Sequence, residues 1–273
     1  MAEIVSIKGG PAESGPLRIQ LDGKVLTITL CNPPAHALSL EMIGLLHQAL
    51  LDARANPQVN VIVLASTGKV FCAGHDLKQM RSYREEADGG ARSLETLFNA
   101  CSEVMKAIPR LPKTVIAKVD GIATAAGCQL VAACDLAFAS EDAQFGTPGV
   151  NIGGFCATPM VALSRNISRK HTMEMLLTGE LVDAKAAMRM GLVNKVVPRD
   201  YLDQVVDKMA GLIASKSAMA IAKGKRAFYE QADMRLSEAY DYANRVMVES
   251  FTTADSDEGL DAFIEKREPE WKE

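Results

Sequence analysis

Three short, almost wholly apolar runs constrain this chain more than anything else in it: NVIVLAS (60–66), TVIAKVD (114–120) and CDLAFAS (134–140). Each reads as a strand buried on both faces, and stretches of helical periodicity separate them. A strand hidden on both faces needs partners above and below it. The β–α–β alternation therefore predicts an α/β protein with stacked parallel strands and right-handed crossovers.

The flanking segments extend that frame. LRIQL and KVLTITL (17–30) are short β-like runs separated by Asp22-Gly23, a strong hairpin signal. Asn32-Pro33-Pro34 stops the second strand, and Ser39 is placed to cap a helix carrying Met42, Leu45, Leu46, Ala49 and Leu50 at helical spacing. A helix is expected over 93–107, preceded by a polar segment, 81–90, expected to be mobile. AQFGTP (143–148) opens as a further strand. Beyond Pro198 the strand signal ends, and periodic helices are expected near 201–215, 217–231, 235–249 and 257–266. The organisation predicted is a loose leader over 1–16 with several glycines, a strand-rich core over 17–198, and a helical C-terminal region over 199–273.

Composition removes several function classes. The 273 residues carry a net charge of −4, which gives no reason to expect a nucleic-acid partner. The six cysteines include no C-x-x-C pair and match no histidine spacing, so neither a metal site nor a disulfide framework is expected. The opening residues MAEIVSIKGG have no targeting pattern, and the apolar stretch from Gly121 to Cys134 is too short to span a bilayer; a cytoplasmic location is the expectation. No G-x-G-x-x-G follows a strand, and there is neither a P-loop nor a G-x-S-x-G elbow.

Two segments carry the candidate chemistry. One is the Gly-punctuated loop from Ser66 to Lys78, directly after a buried strand; the other, Asp120 to Leu130, is a strand end entering a helix of small residues. Small residues let a ligand approach the main chain closely, and the first turn of a helix holds unpaired N–H donors. Two such donors aimed at one point make an oxyanion hole, a contribution of about 3 kcal/mol per donor. The same small residues also let a helix pack tightly on a strand, and spacing alone does not choose between these readings.

The sequence resembles the enoyl-CoA hydratase/isomerase (crotonase) superfamily and, within it, the group called enoyl-CoA hydratase domain-containing protein 3. The likeness runs from about Leu17 to Trp271. It is carried by FCAGHDLK (71–78), DGIATAAGCQLVAACD (120–135), AQFGTPGV (143–150), LTGELVDA (177–184), GLVNKVVP (191–198) and EGLDAFIEKREP (258–269). Blocks in family order are far more specific than any one of them. The resemblance implies a crotonase-type ββα spiral core with a C-terminal helical trimerisation region. It implies an acyl-CoA thioester as ligand, with no cofactor beyond the coenzyme A of the substrate, and assembly as a homotrimer or hexamer. It assigns the oxyanion amides to His75 and Ala126. It assigns the coenzyme arm to Ala65, Lys69, Phe71, Ala73, Asp76, Leu77 and Lys78, with Phe263 and Lys266 of a neighbouring subunit closing the nucleotide end. Lys78 and Lys266 read equally well as solvated surface charges, and Asp76 as a loop-fixing acceptor.

Departures from the family pattern matter as much. Active hydratases carry glutamates in the positions of Gln129 and Gly149. A Gln amide orients water without accepting its proton, and Gly has no side chain, so general acid–base help of about 10²–10⁴-fold is forfeited. Ala125 and Ala126 replace two glycines usual before Cys128, narrowing the floor of the site. Asn151 reads as a loop-capping residue and the His75 imidazole as turned away from the pocket. Cys128 and Cys156 read as packing residues, with no sequence reason to place His36, His47 or His171 beside them as a base. The reading that results is an enzyme that stabilises an acyl-CoA enolate and hydrates poorly. Its alternatives are a non-catalytic acyl-CoA-binding protein, a decarboxylase or a thioesterase.

Overall fold

The computed structural model describes residues 15–272, so most of the leader expected over 1–16 lies outside the described residues. The first strands, β1 (Leu17–Asp22) and β2 (Val25–Leu30), form the expected antiparallel hairpin, with Asp22 opposite Val25. Gly23 supplies the positive φ of +54° that the turn requires. The Ser39 hydroxyl accepts from the Met42 N–H and starts α1 (Leu40–Ala55), which buries Met42, Ile43, Leu46 and Leu50 on the core.

From here a ββα unit repeats. β3 (Val61–Ser66) is followed closely by the three-residue β4 (Val70–Cys72), then by α2 (Leu77–Ser82) and the long α3 (Ala91–Arg110). β5 (Thr114–Val119) is followed by β6 (Ile122–Thr124) and α4 (Ala126–Ala133). β7 (Leu136–Ser140) is followed by β8 (Gln144–Gly146), α5 (Ala157–Asn166) and α6 (Arg169–Thr178). The longer strand of each unit joins a six-stranded sheet and the shorter one a second, four-stranded sheet. The unit closes through β9 (Val182–Asp183), α7 (Ala184–Met190) and β10 (Lys195–Val197). Strand order is β1-β2-β3-β5-β7-β10 in the larger sheet and β4-β6-β8-β9 in the smaller. The pairings β2–β3, β3–β5, β5–β7 and β7–β10 are all parallel, and for β3, β5 and β7 the apolar runs predict it. Sequence reasoning does not find β4, β6, β9 or β10; two or three residues are too few for a period to register.

The larger sheet is covered on both sides. Ile62, Leu64, Val115 and Ala117 face the main core, while Val61, Val63, Ile116 and Phe138 face a second cluster. That second cluster is completed by Leu202, Val206 and Ala210 of α8 (Leu202–Ala214), with Val205, Met209 and Ile213 packed at its margin. Most of the apolar stripe of α8 is thus buried by the chain's own sheet. The segment 81–90, expected to be mobile, carries the end of α2 and a short 3₁₀ turn, and the Asp88 carboxylate accepts from the N–H groups of Gly90 and Arg92.

α9 (Ala218–Gln231) is pinned to the core by a buried ion pair. Lys225 Nζ donates to the carbonyls of Ile108 (2.8 Å) and Lys113 (2.7 Å) and to Asp135 Oδ2 (2.7 Å). Asp135 also accepts from the Tyr229 hydroxyl at 2.9 Å and the Val115 N–H at 2.7 Å. Beyond it, α10 (Leu236–Phe251) has no buried residue, and α11 (Ala254–Glu265) leaves Phe263 and Ile264 83% and 75% exposed. The helices after residue 198 lie within a few residues of the expected spans, α11 beginning three residues earlier.

Candidate functional site

The loop after β4 is tied down on one side by the 35–38 segment and on the other by the Thr124 hydroxyl, which donates to the Ala73 carbonyl at 3.1 Å. Leu38 N–H donates to the Gly74 carbonyl at 2.8 Å, and Asp76 N–H to the Leu38 carbonyl at 3.3 Å. This parallel bridge between Leu38 and His75 uses the groups on either side of His75 and leaves His75's own N–H facing away from it. The Asp76 carboxylate caps α2, accepting from the N–H groups of Lys78 (2.8 Å) and Gln79 (3.2 Å). Its role as a loop-fixing acceptor is therefore visible directly.

Opposite this loop, β6 runs into α4 through Ala125, whose N–H donates to the Gly146 carbonyl at 2.9 Å. Ala125 holds φ 49° and ψ −120°, a conformation that L-residues with a Cβ rarely adopt. The strain turns the chain sharply enough that Ala126 begins the helix with its N–H unpaired. The two segments press together. A Cβ on Gly74 would lie 2.8 Å from Ala125 Cβ and 3.1 Å from Ala126 N, and one on Gly127 would lie 2.0 Å from the Cys72 carbonyl oxygen. Only residues without a Cβ permit this approach. The residue before His75 thus lies against the start of α4 at Ala126, and neither the His75 nor the Ala126 N–H donates to an acceptor among the described residues.

Around these donors the predicted residues divide. Gln129, one turn into α4, is 4% exposed, and its Oε1 has no partner among the described residues. Gly149 sits in a short 3₁₀ turn, Pro148–Ile152, where a Cβ would lie 2.9 Å from Cys156 Sγ and 3.1 Å from Cys156 N. The obstacle to a side chain there is this packing; Gly149 does not have a positive φ. Burial raises the Cys156 thiol, and it pushes Cys128 up to about 12 against a hydrogen bond from the Gly146 main chain. Both are packing thiols, protonated near neutrality. Asn151 Nδ2 donates to the Gly179 carbonyl at 3.4 Å and fixes the loop.

The His75 ring lies edge-on to Phe98 of α3, with centroids 5.2 Å apart, and its Nε2 is buried with no hydrogen-bond partner among the described residues. Burial lowers its pKa from 6.5 to about 4, so the ring is neutral at physiological pH. Phe98, which holds this ring, arrives from a helix about twenty residues further along the chain.

Of the coenzyme-arm residues, Lys69, Ala73, Leu77 and Lys78 are exposed. Ala65 and Phe71 are 2% and 0% exposed and belong to the interior. Phe263 is exposed on α11, and Lys266 ends that helix in the left-handed conformation, φ 58°. They lie in the helical region after residue 198, and the strained Ala125, the His75–Phe98 contact and the Cys156–Gly149 contact all escape sequence reasoning.

Comparison with known proteins agrees with this architecture. The family model described as enoyl-CoA hydratase/isomerase matches residues 20–273. Rat "Enoyl-CoA hydratase domain-containing protein 3, mitochondrial" is 46% identical over 253 residues, covering 92% of this chain and 82% of that protein. An enoyl-CoA hydratase crystal structure from Mycobacterium smegmatis superposes with a TM-score of 0.90 at 46% identity, over 95% of this chain and all of that one (100%). The crystal structure of human enoyl-CoA hydratase domain-containing protein 3 superposes at 0.89 with 41% identity, over 94% and 100%. The cytoplasmic expectation is overturned: the rat and human relatives are mitochondrial by name, and the first residues of this chain were an insufficient basis for assigning a compartment. With its spiral of ββα units and its match from residue 20 to the C-terminal end, the chain belongs to the enoyl-CoA hydratase/isomerase family.

Proposed function

We propose that this protein binds an acyl-CoA thioester and stabilises the negative charge that develops on the thioester oxygen, using the N–H groups of His75 and Ala126. The observation that supports this reading best is the contact of Gly74 with the start of α4, close enough to admit no Cβ, beside two main-chain N–H groups that have no acceptor among the described residues. Donors fixed before the reaction need no reorganisation as charge appears, which is worth about 3 kcal/mol each. The exposed residues Lys69, Ala73, Leu77 and Lys78 flank the coenzyme arm. Asp76 holds the loop, and Ala65 and Phe71 support it from the interior.

Hydration of an enoyl thioester is slow in this reading. It requires a group that takes a proton from water, and neither Gln129 nor Gly149 can do so. The space beside Gly149 is occupied by the Cys156 thiol, itself protonated. Decarboxylation asks least of such a site. The bond to the carboxylate breaks and carbon dioxide leaves; the electron pair passes through the α-carbon to the thioester oxygen, and the α-carbon then takes a proton from water.

Assembly as a homotrimer or hexamer is part of the same proposal. Phe228, Tyr240, Met247, Val248, Phe263 and Ile264 form exposed apolar surface on α9 to α11 that a neighbouring subunit would bury. Phe263 and Lys266 would then close the nucleotide end of a neighbour's site. The test is calorimetry with a non-hydrolysable acyl-CoA, followed by mass spectrometry of an acyl-CoA panel. Saturable binding is expected, and a flat titration at millimolar ligand with folded protein refutes the reading. Altered acyl chains, unchanged ligand or free coenzyme A separate decarboxylation, binding alone and thioester hydrolysis.

A further inference from the structure

The inner face of α11 is mostly charged. Its buried residues are Asp255, Glu258 and Ala262. A helix of 12 residues is marginal in water by itself and ordinarily stays folded by burying an apolar stripe. The seat beneath α11 is also partly open. Between it, the start of α9 and the end of α10 lies an apolar cavity of about 370 Å³, bordered by Met219, Ala220, Phe251, Leu260 and Trp271. Side chains that border a cavity forgo packing contacts on that side.

What holds this helix is the chain that follows it. Lys266 ends α11 in the left-handed conformation, φ 58°, and the Arg267 N–H donates back to the Ala262 carbonyl at 3.0 Å. The chain reverses there, and residues 267–272 run back along α11 toward its start. Arg267 grips the Glu258 carboxylate with two nitrogens, at 2.5 and 3.1 Å, and the Glu270 N–H donates to the same group at 2.8 Å. The Trp271 ring lies over Gly259, where a Cβ would come within 3.4 Å of it. Nearer the start of the helix, the Lys272 N–H donates to Asp255 at 2.8 Å. Two further bonds join this unit to the body. The Trp271 indole N–H donates to the Ser215 carbonyl at the end of α8 (2.8 Å), and the Ser217 hydroxyl, which caps α9, donates to Asp255 (2.5 Å).

We infer that residues 267–272 are a strap that positions α11, and that loosening the strap frees α11 while the rest of the fold stays intact. The reason lies in the chemistry of the inner face. Carboxylates that lose the strap's donors regain water when the helix lifts, so release meets none of the opposition that exposing an apolar face would bring. A hydrogen bond to a charged group is worth about 10- to 150-fold in such an equilibrium. The body is insulated from the event, because neither hydrophobic cluster of the core includes a described residue beyond Ala214. The consequence for function rests on the acyl-CoA reading proposed above. α11 presents Phe263 and ends at Lys266, the residues proposed to close the nucleotide end of a neighbour's site. Arg267 and Trp271 are then positioning residues for coenzyme binding.

Hydrogen exchange read by mass spectrometry tests the strap without any ligand, on native protein, Arg267→Gln, Trp271→Ala and the double variant. Amides of α11 are expected to exchange at least about 10-fold faster in the double variant and to a smaller extent in each single one, with β3, β5 and α8 unchanged. Unchanged protection of α11 in the double variant overturns the inference. Exchange that quickens equally in β3 and β5 overturns it too, since α11 would then not be released separately. Isotherms for butyryl-CoA on the same proteins read the consequence. Binding about 10-fold weaker is expected in the double variant, because the ligand must first reseat the helix. Binding as tight as native by a variant whose α11 has loosened overturns the positioning role. If butyryl-CoA binds none of the four proteins, the acyl-CoA reading falls, and hydrogen exchange alone decides the strap.

Discussion

Replacing Ala125 by Gly should make this protein more stable, the reverse of the usual effect of inserting glycine. Ala125 holds φ 49° and ψ −120°, with its Cβ against Gly74 and its N–H and carbonyl both committed, to Gly146 and Gln129. Such a conformation costs a residue with a Cβ about 1–3 kcal/mol. Glycine relieves that strain but enlarges the freedom of the unfolded chain, which takes back about 0.4–1 kcal/mol. The net expectation is a gain of about 0.5–2 kcal/mol, or a few degrees in melting temperature at roughly 2–4 °C per kcal/mol. Ala125→Val, branched at Cβ, should instead lose about 2 kcal/mol or more. Urea titration of the three proteins, followed by circular dichroism, measures the differences. A less stable Ala125→Gly, or an Ala125→Val as stable as native, refutes the claim that this turn stores strain.

Lys225→Met leaves the Asp135 carboxylate buried without its cation and should cost about 3–5 kcal/mol in urea unfolding, partly restored by adding Asp135→Asn; a loss under about 1 kcal/mol would show that the pair does not anchor α9. Because the folded pKa of His75, about 4, lies below the ordinary 6.5, the folded chain binds fewer protons between those values. Its contribution to stability is therefore complete above pH 6.5 and falls by about 3 kcal/mol as the pH drops toward 4. His75→Phe should flatten that slope, and an unchanged slope would assign it to other groups. Gln129→Glu with Gly149→Glu should not restore hydration of crotonyl-CoA. The side chain at 149 would collide with Cys156 and cost about 1–3 kcal/mol or more, read as a lower melting temperature. Efficient turnover by a stable double variant would contradict this.

Much of the scaffold was legible locally. The Asp22-Gly23 turn, the Ser39 cap and the parallel pairing of the three apolar runs all follow from the chemistry of adjacent residues. The candidate site was legible in part. The loop of 71–78 and the small residues of 120–130 announce close main-chain approach, and the absence of carboxylates at 129 and 149 is a plain fact of composition. The coenzyme-arm assignments include Ala65 and Phe71, and both are interior. A run of residues after a strand does not reveal which of them the second sheet will bury.

What the sequence determined by itself is therefore whatever a period or a cap within about a dozen residues can specify: where strands and helices lie, how they turn, and which chemical groups exist. Tertiary structure decided the rest. It chose to bury the stripe of α8 on the chain's own sheet and to fill the space beside Gly149 with Cys156. It also seated His75 against Phe98 and placed Lys225 on Asp135, 90 residues earlier. The physical reason is that burial, hydrogen-bond satisfaction and pKa depend on which distant side chains arrive at a point. Arrival is set by the packing of whole elements, which no local pattern of residues encodes.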